Sequence, residues 1–296
     1  MVWRMGDRKE NLPGKIRDVL MPFAVYYAVY MAAFFLLSCG LRIMAGLSGN
    51  GVWADDAAAV VRKLIEEQGE TVTGIVNGIS MLTGAAFLMP MLRAELQMRK
   101  SGRQKELYGR FAAAILSMTV ALAAASSIGL NILLSLTGLV QSSAGYQRAA
   151  QNQYGVTFGI GLFLYTVISP LAEEVVFRGV IYNRMRRYFC GSCSLPVSVA
   201  IVVSGLLFGM YHGNLVQGIY GCCMGMLMAW LYEHTHDFRI PCLFHGAANC
   251  VVYLTAQNAA LQEKLYTAPW CAFLLAAAAG LLFLLKILSC GVLTDN

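Results

Sequence analysis

Apolar residues run in long blocks along this chain, and polar residues collect between them. A helix needs about 20 apolar residues to cross the hydrocarbon of a bilayer. Blocks of that kind lie near residues 19–43, 72–92, 111–136 and 156–188, the last running through Pro170. Four more lie near 195–211, 215–232, 240–254 and 270–288. The pattern predicts an all-α, polytopic membrane protein with about eight transmembrane helices. The seventh block is short, which predicts a tilted or sunken helix or a locally thinned bilayer. Residues 53–69 read as an amphipathic helix lying on the outer surface.

The charged residues between the blocks orient them. Arg4, Arg8, Lys9, Lys15 and Arg17 precede the first block. Arg93, Arg99, Lys100, Arg103, Lys105 and Arg110 follow the second, and Arg184, Arg186 and Arg187 end the fourth. The alternate loops are acidic or nearly uncharged: 55–70 is mostly acidic, and 141–154 holds only Arg148. Basic loops face the cytoplasm, so both termini are predicted cytoplasmic. Residues 1–18 form a cytosolic segment, 19–154 a transmembrane scaffold, and 155–296 the helices that carry the chemistry together with a last span. The first block is too long for a cleavable signal, and no small-residue cleavage site follows it. Leu36-Leu37-Ser38-Cys39 lies too deep in that block to read as a lipidation site.

Composition agrees with the pattern and excludes other classes. Of 296 residues, 58% are hydrophobic and only 13% charged, with a mean hydropathy of +0.60. A soluble domain averages roughly 25% charged residues, and a globule of this size could not bury so much apolar surface. Disorder and nucleic-acid partners are excluded by the same figures. The 9 cysteines are odd in number and scattered in apolar runs, unlike a disulfide scaffold.

Ionisable groups inside membrane helices are costly and mark function by default. The first three blocks hold almost none. The later ones hold Glu173, Glu174 and Arg178, then His212, then His245 with Asn249. Glu174 and Arg178 are four apart, share a helix face and can pair. Glu173 points about 100° away and is left for another partner. Pro170 removes a backbone donor just before the acids and predicts a kink. Phe208 and His212, like His245 and Asn249, are four apart. A carboxylate with a His can take a proton from water, and a second His with an Asn amide can stabilise an oxyanion. There is no serine nucleophile elbow, HExxH or phosphate-binding loop.

These residues resemble the motifs of the CAAX protease and bacteriocin-processing (Abi) family of intramembrane endopeptidases, which includes the type II CAAX prenyl proteases. EExxxR matches Glu173 to Arg178, FxxxH matches Phe208 to His212, and HxxxN matches His245 to Asn249. The three occur in order on separate blocks, and the resemblance covers about 156–253. It implies a multi-pass protein, here of a bacterial plasma membrane, with a site inside the bilayer reached from the cytosolic side. Glu173 and His212 would activate water, and His245 and Asn249 would line the oxyanion site. Glu174, Arg178 and Phe208 would orient or support them. The expected substrate is a peptide or membrane protein and the expected surroundings are lipid, with no cofactor.

Alternatives stay open. Glu173, His212 and His245 are possible ligands of a catalytic zinc, and Cys190, Cys193, His234 and His236 of a structural one. A transporter or proton-coupled carrier also uses intramembrane Glu and His, although no inverted repeat is visible. A catalytically idle scaffold is a further alternative. The block limits put His212 near the outer end of its helix and His245 near the inner end of its own. For the two to meet, the fifth helix must start later than residue 195 or the helices must tilt.

Overall fold

The computed structural model describes residues 11–46, 52–99, 102–191 and 195–291, without the side chains of 52–55, 102–110 and 289–291. Arg4, Arg8, Lys9, Lys100 and Cys193 lie outside the described residues, as do the side chains of Trp53, Asp55, Arg103, Lys105 and Arg110. Among the described residues every regular element is a helix, and the chain is an all-α polytopic membrane protein. In lipid the backbone must satisfy its own hydrogen bonds, which leaves the helix as the solution for apolar blocks of this length.

The helices are α1 (Leu12–Gly46), α2 (Val52–Glu67), α3 (Gly69–Phe87), α4 (Met89–Arg99) and α5 (Gly102–Leu136). Two short ones follow, α6 (Leu139–Ser142) and α7 (Ala144–Tyr154). Next come α8 (Phe158–Gly191), α9 (Val197–Tyr211), α10 (Leu215–Thr235) and α11 (Arg239–Ala256). Last are α12 (Ala259–Leu265) and α13 (Ala268–Gly291).

Helices stand at all eight apolar blocks, but fewer than eight meet the length and hydropathy demanded of a span. Among the described residues five do: α1, Phe111–Leu136 within α5, α8, α10 and Ala268–Leu288 within α13. A sixth exists if α3 and α4 are one span, bent by 55° between them. The second block was read straight through this break. Pro90, in the first turn of α4, lacks the backbone donor that would continue α3. The fifth block forms α9 close to where it was expected, so a later start does not explain how the histidines meet. α9 has only 15 residues, about 22 Å at 1.5 Å each, against about 30 Å of hydrocarbon.

α8 departs furthest from expectation. It is one helix in which α-helical turns alternate with wider π-helical segments at Leu164–Ile168, Val175–Tyr182 and Arg186–Gly191. In the first segment the Ser169 N–H bonds back to the Leu164 carbonyl, five residues earlier. The next bond of that register would run from residue 170 to the Tyr165 carbonyl, and Pro170 has no N–H to make it. Asn249 of α11 takes over: its Nδ2 donates to the Tyr165 carbonyl at 2.9 Å. Gly246, one turn earlier, lets the two backbones close, since a Cβ there would lie 2.7 Å from the Thr166 carbonyl oxygen.

A large buried core runs through the bundle, from Val19 and Tyr26 of α1 to Ala278 and Leu285 of α13, with a smaller cluster of Ile128, Ile132 and Cys271 between α5 and α13. At one end lies a network of charged groups. Arg184 bonds Asp18 and Glu95, and Arg187 bonds Glu95. Arg99 and Arg186 both bond Glu233. The basic loops read from the sequence thus meet at this end. The N-caps Ser143, Asn214 and Asn258, which bond the first-turn amides of α7, α10 and α12, stand at the other.

Candidate active site

A cavity of about 210 Å³ lies between α5, α7, α8, α9, α10 and α11. Glu173, His212, His245 and Asn249 all line it. The structure therefore brings the three motifs together around one space, although they lie on three helices and span 77 residues of chain from Glu173 to Asn249.

Glu173 and Glu174 are neighbours with different surroundings. Glu174 is fully buried beside the equally buried Arg178. Its Oε1 accepts from Arg178 Nη1 at 2.8 Å and from His245 Nδ1 at 2.9 Å. A carboxylate only accepts, so His245 carries a hydrogen on Nδ1 and turns Nε2 toward the cavity. Nε2 lies 3.7 Å from Glu173 Oε2. Glu173 keeps 6% of its surface, and its other oxygen accepts from Ser169 Oγ at 2.9 Å. Sequence reasoning missed Ser169. The signal was present, since it precedes Glu173 by four residues and shares its face.

Arg178 is anchored on three sides. Besides Glu174, its Nη2 donates to the Gly225 carbonyl at 3.0 Å, and its guanidinium sits 4.4 Å over the Phe208 ring. α9 and α10 pack closely enough for this because both are lined with glycines. A Cβ on Gly225 would lie 2.9 Å from Gly205 Cα and 3.2 Å from Arg178 Nη2. Gly221 and Gly225 of α10 both pack against α9, and Gly225 also supplies a carbonyl to Arg178.

His212 is the first residue past α9. Its Nδ1 lies 2.9 Å from the Phe208 carbonyl. A carbonyl only accepts, so Nδ1 carries the hydrogen and Nε2 is left as an acceptor. Phe208 stands edge-on to both imidazoles, 5.0 Å from His212 and 5.5 Å from His245 between ring centres. α9 is short enough to end at cavity depth, so a residue at its terminus meets one six positions into α11. Asn249 has one amide hydrogen committed to Tyr165 and a second left over.

The zinc alternatives find no ready cradle. Among the described residues no three His, Cys, Asp or Glu side chains are grouped to hold a metal ion. Glu173, His212 and His245 are the right donor types, but they share the cavity without that grouping. In the other cluster Cys193 lies outside the described residues. Cys190 contacts the Pro196 carbonyl, and His234 contacts the Trp230 carbonyl and stacks on the Trp230 ring.

Toward the end with the N-caps the cavity is lined by Tyr146, Gln153 and Tyr154 of α7, Gln217 of α10 and Asn131 of α5; all five are half-buried, and this part-exposed end is its mouth. Burial raises the Tyr146 and Tyr154 phenols above their ordinary value, so they stay neutral donors. Met228 and Phe244 line the cavity floor, and with Phe177, Tyr182 and Tyr232 they are at most 2% exposed; Tyr182 bonds Glu233 and Arg99 lies over Tyr232, in the ion-pair network.

Residues 155–251 match the family model described as Type II CAAX prenyl endopeptidase Rce1-like. Two curated bacterial relatives are similar. YdiL of Bacillus subtilis (strain 168), whose name assigns it provisionally as a membrane peptidase, is 25% identical over 151 residues, 43% of this chain and 57% of that protein. The membrane-embedded CAAX protease MroQ of Staphylococcus aureus (strain USA300) is 29% identical over 97 residues, 32% of this chain and 38% of that protein. The chain thus spans less than two thirds of either relative. No solved structure matches. The family likeness read from the three motifs is the likeness these comparisons find, over nearly the same residues.

Proposed function

We propose that this integral membrane protein, Rce1-like over residues 155–251, is an intramembrane endopeptidase that hydrolyses peptide bonds with a water activated by Glu173. One observation carries the reading. A carboxylate held by a single hydroxyl faces a cavity, with an oriented imidazole 3.7 Å away and a second imidazole in the same wall.

In this mechanism Glu173 takes a proton from a water in the cavity, and His212 Nε2 accepts the water's other hydrogen and fixes its direction. The water oxygen attacks the peptide carbonyl carbon. Charge develops on the carbonyl oxygen beside the remaining amide hydrogen of Asn249, and beside His245, which in its doubly protonated form donates from Nε2 while Nδ1–H stays on Glu174. The C–N bond then breaks, and Glu173 returns its proton to the leaving amine. Glu174 and Arg178 act through His245, fixing which of its nitrogens faces the substrate. The packed helices exclude bulk water, which strengthens each of these interactions.

The test compares membrane peptides, by mass spectrometry, from cells carrying the natural chain or Glu173→Gln. New peptide ends that need Glu173 are expected. Identical sets of ends, with both proteins inserted equally, would remove the proposal and leave a carrier or an idle scaffold.

A further inference from the structure

The family resemblance and the charge pattern disagree about which side of the membrane the cavity serves. The resemblance implies entry from the cytosol. The basic residues that mark a cytosolic face instead collect at the end of the bundle remote from the mouth. Arg99, Arg184, Arg186 and Arg187 converge there on Asp18, Glu95 and Glu233. From that end α5 and α11 run toward the mouth, while α8 and α10 run back from it.

We infer that substrate enters the cavity from the non-cytoplasmic side, past α7, and that it is an uncharged stretch of an exported or membrane-tethered polypeptide. This deepens the endopeptidase reading and rests on it. Three observations support the direction of entry. First, the mouth is built at the end where loops are poor in Lys and Arg: α7 carries only Arg148, and the turn between α9 and α10 carries no charge. Second, the route from the basic end is filled. The Arg99 guanidinium lies 4.1 Å over the Tyr232 ring, and Tyr232, Tyr182, Phe177 and the floor residue Met228 are at most 2% exposed. Third, α7 is built as a cover. Tyr146, Ala150, Gln153 and Tyr154 lie on its cavity face, and Gln147, Arg148, Gln151 and Asn152 are exposed on the other.

The walls describe the occupant. Among the described residues lining the cavity there is no Lys or Arg. A C-terminal carboxylate drawn inside would therefore face Glu173 with no Lys or Arg to offset the repulsion, at a cost. Amide and phenol groups at the mouth suit backbone N–H and carbonyl groups, and the aromatic floor suits an apolar side chain. An internal segment fits these walls better than a free chain end.

The experiment places single reporter cysteines in the full chain and applies a membrane-impermeant maleimide to intact cells. Modification is read on the peptide that carries each added cysteine. Gln153→Cys, at the mouth, and Gln147→Cys, on the exposed face of α7, are expected to be modified as fully in intact cells as after permeabilisation. Arg17→Cys, at the basic end, is expected to react only after permeabilisation. The reverse pattern would overturn the proposal, as would α7 cysteines that wait for permeabilisation. Gln147→Cys reports the side even if the cavity face does not tolerate substitution. No turnover is needed, so this result can fail while Glu173→Gln still abolishes cleavage. Cleavage can equally be absent while the labelling succeeds.

Discussion

Two buried groups of charge occupy this bundle, and they are built differently. At the basic end each acid is saturated. Glu95 accepts from Arg184 and Arg187, and Glu233 accepts from Arg99, Arg186 and the Tyr182 hydroxyl. Around the cavity the acids are undersupplied. Glu174 shares one oxygen between Arg178 and His245 while its Oε2 has no hydrogen-bond partner among the described residues. Glu173 has one hydroxyl. Acids saturated in this way clamp helices and have no oxygen left to offer a substrate. The undersupplied group keeps a carboxylate oxygen and two imidazole nitrogens for something that enters. Such incompletely satisfied polar groups are costly to bury, which points to a use other than stability.

The sharpest way to break this comparison is at Glu173. Glu173→Gln keeps the volume and the contact to Ser169. It is expected to reduce cleavage by about 10²–10⁴-fold, the usual worth of a general base, with little change in thermal unfolding in detergent. Near-natural turnover would place Glu173 with the clamping acids. Glu174→Ala should do the opposite first, unfolding the protein more easily by about 3–5 kcal/mol, because it strands a buried guanidinium. A combined Glu174→Gln, Arg178→Met variant should recover part of that loss yet stay inactive, since His245 loses its orientation. An active double variant would show that His245 needs no acid behind it.

Smaller effects test the surroundings. Gly225→Ala drives a methyl between α9 and α10 and against Arg178, and is expected to cost about 1–3 kcal/mol as overpacking. Arg186→Ala is expected to cost less than about 1 kcal/mol. Its side chain is 41% exposed and Glu233 keeps Arg99, so the pair behaves as a surface one. Should Arg186→Ala destabilise as much as Glu174→Ala, the contrast between clamp and site would be lost.

The sequence by itself determined the membrane class, the places of the helices, the Glu174–Arg178 pair and the residues of the three motifs. These are local properties: apolar length, a spacing of four on a helix, and the cost of charge in lipid. Tertiary structure decided the rest. The break at Pro90, the π-helical turns of α8, Ser169 on Glu173 and Asn249 on the carbonyl that Pro170 leaves open all depend on where a neighbouring helix lies. So does the end of the bundle at which the cavity opens. Periodicity along one chain fixes which face a side chain occupies, but what that face meets is set by packing between helices far apart in sequence.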